Sequence, residues 1–449
     1  MHKIILAIRY LIRRRITYFA VLAVALCVFI VVVVMTVMTG LVGNFKRANH
    51  KFVGDCVVGT ESLVGFAYYD ELVSILEQAD FIETVSPIIK SYALLSPRNR
   101  DLNVGVEIMG IDPARHSRVT GFAGTLYFHA DDVAKAFVPS YDPNLPGCVL
   151  GIDLAMERDA NSRYPQESAP TRVGFSISCF PLTARGAPAK ADLDLVNTQT
   201  FYYSDHSHSG IARVDGSVVY LPFEQAQLLC GMGEPVKRIN AIHVKFKPAV
   251  ALHRGREKLA ALWAQFRQEK VGQPHANLLD TVTVQTWKEN RRAFIAAMEK
   301  EQAMMIVMFG FVAITTVFIV FVVFYMIISH KSKDIGILKS VGASNLDIVQ
   351  LFSGFAFLVG FIGSCAGILL GWAFLLNMNR IEDWLFERFG FQLWDRTIYA
   401  IGEIPNQVDL HVLAIIMASA IFACWLGAVV PSWQAARLKP VDTLAVSRL

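Results

Sequence analysis

Residues 303–329 read AMMIVMFGFVAITTVFIVFVVFYMIIS, without one charged side chain. A helix needs roughly 20 apolar residues to cross a bilayer, and this stretch has more than enough. Three others share its character: 16–45, 348–379 and 410–436. Their spacing is uneven. The first stands alone, the last three crowd together, and the polar segment 46–302 separates them. The pattern predicts a membrane protein of four transmembrane α-helices in a 1+3 order, with a large α+β domain between the first and second.

Charge sets the expected orientation. Lys3, Arg9, Arg13, Arg14 and Arg15 precede the first span, Lys331, Lys333 and Lys339 follow the second, and Arg437, Lys439 and Arg448 follow the fourth. The segment between the third and fourth spans is acidic, with Glu382, Asp383, Glu387, Asp395, Glu403 and Asp409. Basic flanks stay in the cytoplasm. Both termini (1–15 and 437–449) and the loop 330–347 are therefore expected inside, and 46–302 and 380–409 outside. Lys46, Arg47 and Lys51 point the other way, but long domains translocate largely regardless of charge. The N-terminal run is too long for a signal peptide and reads as an uncleaved anchor.

The chain has 449 residues, 54% hydrophobic and 18% charged, with a net charge of +4. That charge is too small to imply nucleic acid as a partner. The sequence has no G-x-x-x-x-G-K-[ST], H-E-x-x-H or G-x-S-x-G motif, so neither a nucleotide-hydrolysing loop nor those catalytic centres are expected. Nor do the span centres carry the ionisable residues that ion-coupled transporters use. The reading is of a transport component without catalytic, cofactor-binding or metal residues of its own.

Within 46–302, Phe52–Gly59, Thr84–Leu95, Leu102–Ile111 and Ile242–Phe246 read as strands, and Tyr68–Gln78 and Ala249–Gln268 as helices. These predict an α/β subdomain over about 46–111 and 241–285. Residues 112–240 are richer in turn-formers. Val173–Phe180, Val196–Tyr203 and Ser217–Leu221 predict a second, β-rich subdomain there, with loops at 162–170 and 186–192. Asp205-His206-Ser207-His208 reads as a solvated loop rather than a metal set, because the sequence places no further ligand nearby. Arg291 and Arg292 read as the wet face of an amphipathic helix over Trp287–Glu301. Cys56, Cys148, Cys179 and Cys230 lie outside the spans. Four cysteines allow three pairings, and free buried thiols are the expectation.

The loop 330–347 carries the sharpest signal. Asp334, Ile335, Ile337, Leu338, Lys339 and Val341 predict a short helix with an apolar stripe formed by Ile335, Ile337, Leu338 and Val341. Gly342 would stop it and Ser344 would start the next helix. Such a stripe either packs on the bundle or membrane, or docks in a groove of a cytoplasmic partner. Gly363, Gly367 and Gly371 put small residues on one face of the third span, for packing within the bundle or between copies.

Asp334 to Ser344, DIGILKSVGAS, resembles the signature of the permease superfamily of FtsX-, MacB- and lipoprotein-releasing (LolC/LolE-type) ABC transporter subunits. Several stretches are similar to the lipoprotein-releasing branch: Leu6–Leu11, Val37–Gly40, Thr286-Trp287, Trp394–Tyr399, Pro431–Pro440, and Gly210–Gln227 ending in VYLPFEQAQ. The likeness is loosest over 112–200. It implies a multi-pass protein of the bacterial inner membrane whose domain 46–302 is periplasmic. It further implies a cytoplasmic ATPase that alone uses ATP, docked on 330–347 as a coupling loop, and a second permease, copy or paralogue. In the lipoprotein branch the cargo is a lipid-anchored protein passed to a periplasmic carrier. Val34, Thr36, Met304, Met305 and Met308 would then form a lateral gate facing membrane lipid and cargo. An FtsX-like mechanotransmitter and a MacB-like export permease are the alternatives.

Overall fold

A computed structural model describes residues 15–98, 103–157, 164–165, 169–188, 196–389, 406 and 408–437. The motifs at Leu6–Leu11 and Trp394–Tyr399, the basic residues of 1–14 and 438–449, and much of the loops 162–170 and 186–192 lie outside the described residues. The helices used below are α1 (Arg15–Val53), α2 (Tyr69–Gln78), α3 (Pro113–Val119), α4 (Phe223–Leu229), α5 (Leu252–Glu269), α6 (Arg292–Ser340), α7 (Asn345–Phe389) and α8 (Leu410–Arg437). The chain divides into a helical unit (1–43, 297–394, 403–449) and a sheet unit (44–296, 395–402).

In the helical unit, α1, α6, α7 and α8 each hold a segment long and apolar enough to cross a membrane. At 1.5 Å per residue the 49 residues of α6 make a rod of about 74 Å, more than twice a hydrocarbon core. The expected loops are therefore partly helix: α6 runs on to Ser340, and α7 continues past 379 to Phe389. The glycines of α7 lie against α1. A Cβ on Gly363 would stand 2.8 Å from Val24 Cγ1, one on Gly367 2.5 Å from the Ala25 carbonyl, and one on Gly371 2.9 Å from Val32 Cγ1. With no side chain between them, the two backbones approach closely. Val24, Val28, Val32, Phe324, Phe355 and Val359 build the core that results. Outward-facing Phe311, Ile314, Phe318, Leu369 and Phe422 are exposed, as helix faces solvated by lipid are.

The sheet unit starts where Gly54 stops α1. Its φ of +82° suits glycine, and its N–H donates to the His50 carbonyl at 2.8 Å. The strand expected from Phe52 therefore begins only at Cys56, and Phe52 and Val53 are still helical. Among the described residues nine strands follow: β1 (Cys56–Gly59), β2 (Ile82–Pro97), β3 (Val104–Ile111), β4 (Gly147–Gly151), β5 (Gly174–Cys179), β6 (Asn197–Ser207), β7 (Val218–Pro222), β8 (Ala241–Phe246) and β9 (Thr283–Thr286).

Their pairing revises the two-subdomain expectation. The first half of β2 pairs with β8, and β8–β1–β9 continue an open antiparallel sheet. From Ile89 onward β2 pairs with β3, and from Ala93 with β5 on its other edge. Strands β3–β7–β4–β6–β5 then complete the circuit. Six strands thus form a closed ring without a free edge. Because β2 belongs to both sheets, there is no break at residue 111. The division falls inside one strand, and 44–296 is one compact unit.

The ring is filled by alternating side chains: Ala93 and Leu95 of β2, Val106 and Ile108 of β3, Cys148 and Leu150 of β4, Phe175 and Ile177 of β5, Phe201 and Tyr203 of β6. Helix α4 packs on this core through Ala226 and Leu229. It can do so because Gly110 has no side chain, where a Cβ would come within 2.4 Å of Ala226 Cβ. Helices α2 and α5 join the same core through Leu72, Leu76, Leu259 and Phe266.

Asp205-His206-Ser207 is not the expected loop. It is the buried end of β6, and Asp205 is fully enclosed. Its carboxylate accepts N–H bonds from Tyr127, Phe128, His129 and His206 at 2.7–3.2 Å. Among the described residues no group of three or more His, Cys, Asp and Glu side chains converges as a metal site would require. Arg291 also departs from the solvated face expected of it. Its guanidinium stacks on Phe52 at 4.9 Å, and burial lowers its pKa.

Candidate coupling site

Two local signals build the corner between α6 and α7. Gly342 adopts φ +107°. Its N–H donates to the Lys339 carbonyl at 3.0 Å, and the Ala343 N–H to the Leu338 carbonyl at 3.0 Å. This pair of bonds is the Schellman stop, which needs a left-handed residue that glycine alone adopts without penalty. Ser344 then caps α7. Its Oγ accepts from the Asp347 N–H at 3.2 Å, while Asp347 Oδ2 accepts from the Ser344 N–H at 3.1 Å and its Oγ–H at 2.7 Å. A reciprocal box of this kind satisfies two orphan donors and puts a carboxylate on the positive end of the helix dipole. The corner is bonded on both sides.

The apolar stripe divides. Successive residues turn 100° around a helix, so Ile335 stands well away from Ile337 and Val341. Ile335 is buried and joins Ile348 in the core of the helical unit. Leu338 is half-buried. Ile337 and Val341 face out, Val341 at 83% exposure. Leu346, in the first turn of α7, is 71% exposed as well. Its only signal in the sequence was a large apolar residue two places after a cap serine. The exposed apolar side chains about the corner are thus Ile337 of α6, Val341 of the turn and Leu346 of α7. Lys339 points the other way, donating from Nζ to the Ala436 carbonyl near the end of α8 at 2.6 Å. Asp334 lies on α6.

The expected gate residues are not alike. Met304 and Met308 of α6 are exposed, Val34 and Met305 half-buried, and Thr36 buried among the helices. Near them Cys27, Val31, Phe309, Thr316, Ile416 and Ala420 line a hollow of about 100 Å³ between α1, α6 and α8.

Residues 306–440, which contain this corner and all of the last three spans but the start of α6, match the FtsX-like permease C-terminal family. The lipoprotein-releasing system transmembrane protein LolC of Neisseria meningitidis is 22% identical over 441 residues, covering 96% of this chain and 94% of its own length. Residues 306–440 thus carry an FtsX-like permease C-terminal domain, and the chain is similar to a LolC permease along nearly its whole length. The LolE of Haemophilus influenzae is 24% identical over 120 residues, 27% of this chain and 29% of that one. The periplasmic region of MacB from Actinobacillus actinomycetemcomitans aligns at 13% identity with a TM-score of 0.31, over 56% of this chain and 97% of its own; at that score it adds nothing to the assignment. FtsX/MacB permeases are transport subunits of ABC systems and not enzymes. They generally work with a cytoplasmic ATPase and a partner permease. This chain is accordingly a protein of the bacterial inner membrane.

Proposed function

We propose that this permease relays the motion of a separate ATPase subunit to its own sheet unit on the outer side of the membrane, and thereby releases lipid-anchored proteins from the inner membrane. The observation that carries the first half is the doubly capped corner with its exposed apolar side chains Ile337, Val341 and Leu346. Apolar side chains held on a stiff turn are what a groove on a cytoplasmic partner would grip. ATP is used by that partner and not by this chain. In this reading the termini lie in the cytoplasm and the sheet unit in the periplasm, which the basic flanks support.

The second half rests on the likeness to LolC along nearly the whole chain and on the character of the spans. A lipid-anchored cargo need not cross the bilayer, so no polar pathway is needed through the helices. It enters sideways, where Met304 and Met308 present flexible apolar surface, and a periplasmic carrier receives it. The test is depletion of the chain in its native host. Lipoproteins destined elsewhere should accumulate in the inner membrane. Intact lipoprotein sorting with disturbed cell-wall remodelling would instead support a mechanotransmitter.

A further inference from the structure

Cys179 ends β5, and Cys230 directly follows α4. Fifty-one residues separate them in sequence, yet their sulfurs lie 3.8 Å apart. Two independent clamps hold their segments together. Asn197, registered opposite Cys179 on β6, donates to the carbonyl of Leu229 at 3.1 Å. Arg238 donates from Nη2 to the carbonyls of Leu182 and Gly231 at 2.7 and 2.6 Å. Ser91 Oγ lies 3.4 Å from Cys179 Sγ. Both cysteines are buried, at 0% and 2% exposure.

The topology parts Cys179 from both Cys56 and Cys148. Cys56 on β1 and Cys148 on β4 are separated by β8, β2, β5 and β6. Cys148 is registered with Tyr203 and Cys179 with Asn197, so six residues of β6, about 20 Å, part them along the strand. Cys56 lies level with Val85 through β8 and Cys179 level with Ala93, a distance greater still.

We propose that Cys179 and Cys230 form a disulfide in the mature protein, stapling α4 onto the six-stranded ring. The proposal rests on the periplasmic placement of the sheet unit, an oxidising compartment. The oxidant is a disulfide-bearing thiol oxidoreductase. One cysteine thiolate attacks its disulfide, forming a mixed disulfide and releasing one oxidant thiolate. The second cysteine then attacks the mixed disulfide at the first cysteine's sulfur and releases the other. Two electrons pass to the oxidant, which becomes a dithiol once the two protons have been taken up. Because both sulfurs are buried in the folded unit, exchange takes place before α4 seats on the ring.

The test uses the full-length chain at native expression, with thiols trapped by acid and alkylated in denaturant before any reductant is added. Mass spectrometry of the digest should find a peptide joining Cys179 to Cys230, with Cys56 and Cys148 alkylated. Cys179→Ser should leave Cys230 alkylatable, a readout that does not depend on how well the variant folds. In the purified full-length protein, reduction should lower Tm by roughly 5–10 °C, from the loop-closure effect on a loop of this size. A membrane-impermeant maleimide on Gln268→Cys, at an exposed site on α5, reports topology separately. Alkylated Cys179 and Cys230 together with outside labelling overturn the disulfide and leave the topology standing. Alkylated cysteines without outside labelling overturn both.

Discussion

Asp205 receives the backbone N–H of Phe128 between both its carboxylate oxygens, each 3.1 Å from the nitrogen. The same carboxylate takes the N–H groups of Tyr127 and His129, so one buried side chain at the end of β6 fixes the chain that enters from Leu126. Asp205→Ala should leave those donors unsatisfied and cost about 3 kcal/mol, because orphaned buried N–H groups carry the full desolvation penalty. Asp205→Asn keeps one acceptor oxygen and should cost about half as much. Chemical denaturation of the purified protein measures both, and equal losses would show that the N–H bonds are not what the carboxylate contributes.

The division of the apolar stripe gives a test of docking. Val341→Asp with Leu346→Asp changes two exposed side chains and should leave folding unchanged while ATPase co-purification falls at least tenfold, as for central interface anchors. Ile335→Asp buries a charge in the helical core and should instead lose the folded protein. Undiminished co-purification in the double variant would place the ATPase contact elsewhere.

Gly367→Ala should destabilise by about 1–3 kcal/mol, the range for overpacking. Its new methyl would meet the Ala25 carbonyl at 2.5 Å, and a helix backbone cannot give way as a side chain can. Gly354→Ala on the same helix meets nothing within 4 Å and should be neutral or slightly stabilising. Thermal unfolding in detergent compares the two. Equal Tm values would show that α1 and α7 are not in close contact in the protein as purified.

Acid should loosen the sheet unit. His116 and His243 are buried with rings 5.8 Å apart, and neither ring nitrogen of His243 has a protein hydrogen-bond partner. Burial, with Lys90 nearby, lowers His116 to about 3 and His243 well below its ordinary value. A base with a depressed folded pKa binds more protons when unfolded. Its contribution is therefore present above about pH 6.5 and lost progressively as pH falls towards 3. At pH 5 this amounts to about 2 kcal/mol for His116, and His243 acts in the same direction. Denaturation midpoints at pH 7.5 and 5 should differ accordingly, and His116→Asn should flatten the difference. A pH-independent midpoint would mean that the two rings are solvated.

The sequence by itself determined the four spans, the corner between α6 and α7, and most strands of the sheet unit. These are local properties. A bilayer demands an uncharged run that satisfies its own backbone, and Gly342 and Ser344 act on residues within one turn of themselves. The tertiary structure alone decided what depends on distant partners. Ile335 turned inward and Val341 outward because a packed bundle chose which side of the helix to cover. Residues 205–207 became a buried strand end because their donors lie some 77 residues away in the chain. The ring closed, and the division between the two sheets fell inside β2, because β2 is long enough to serve both. Strand order is set by packing and register, and no short window of sequence contains it.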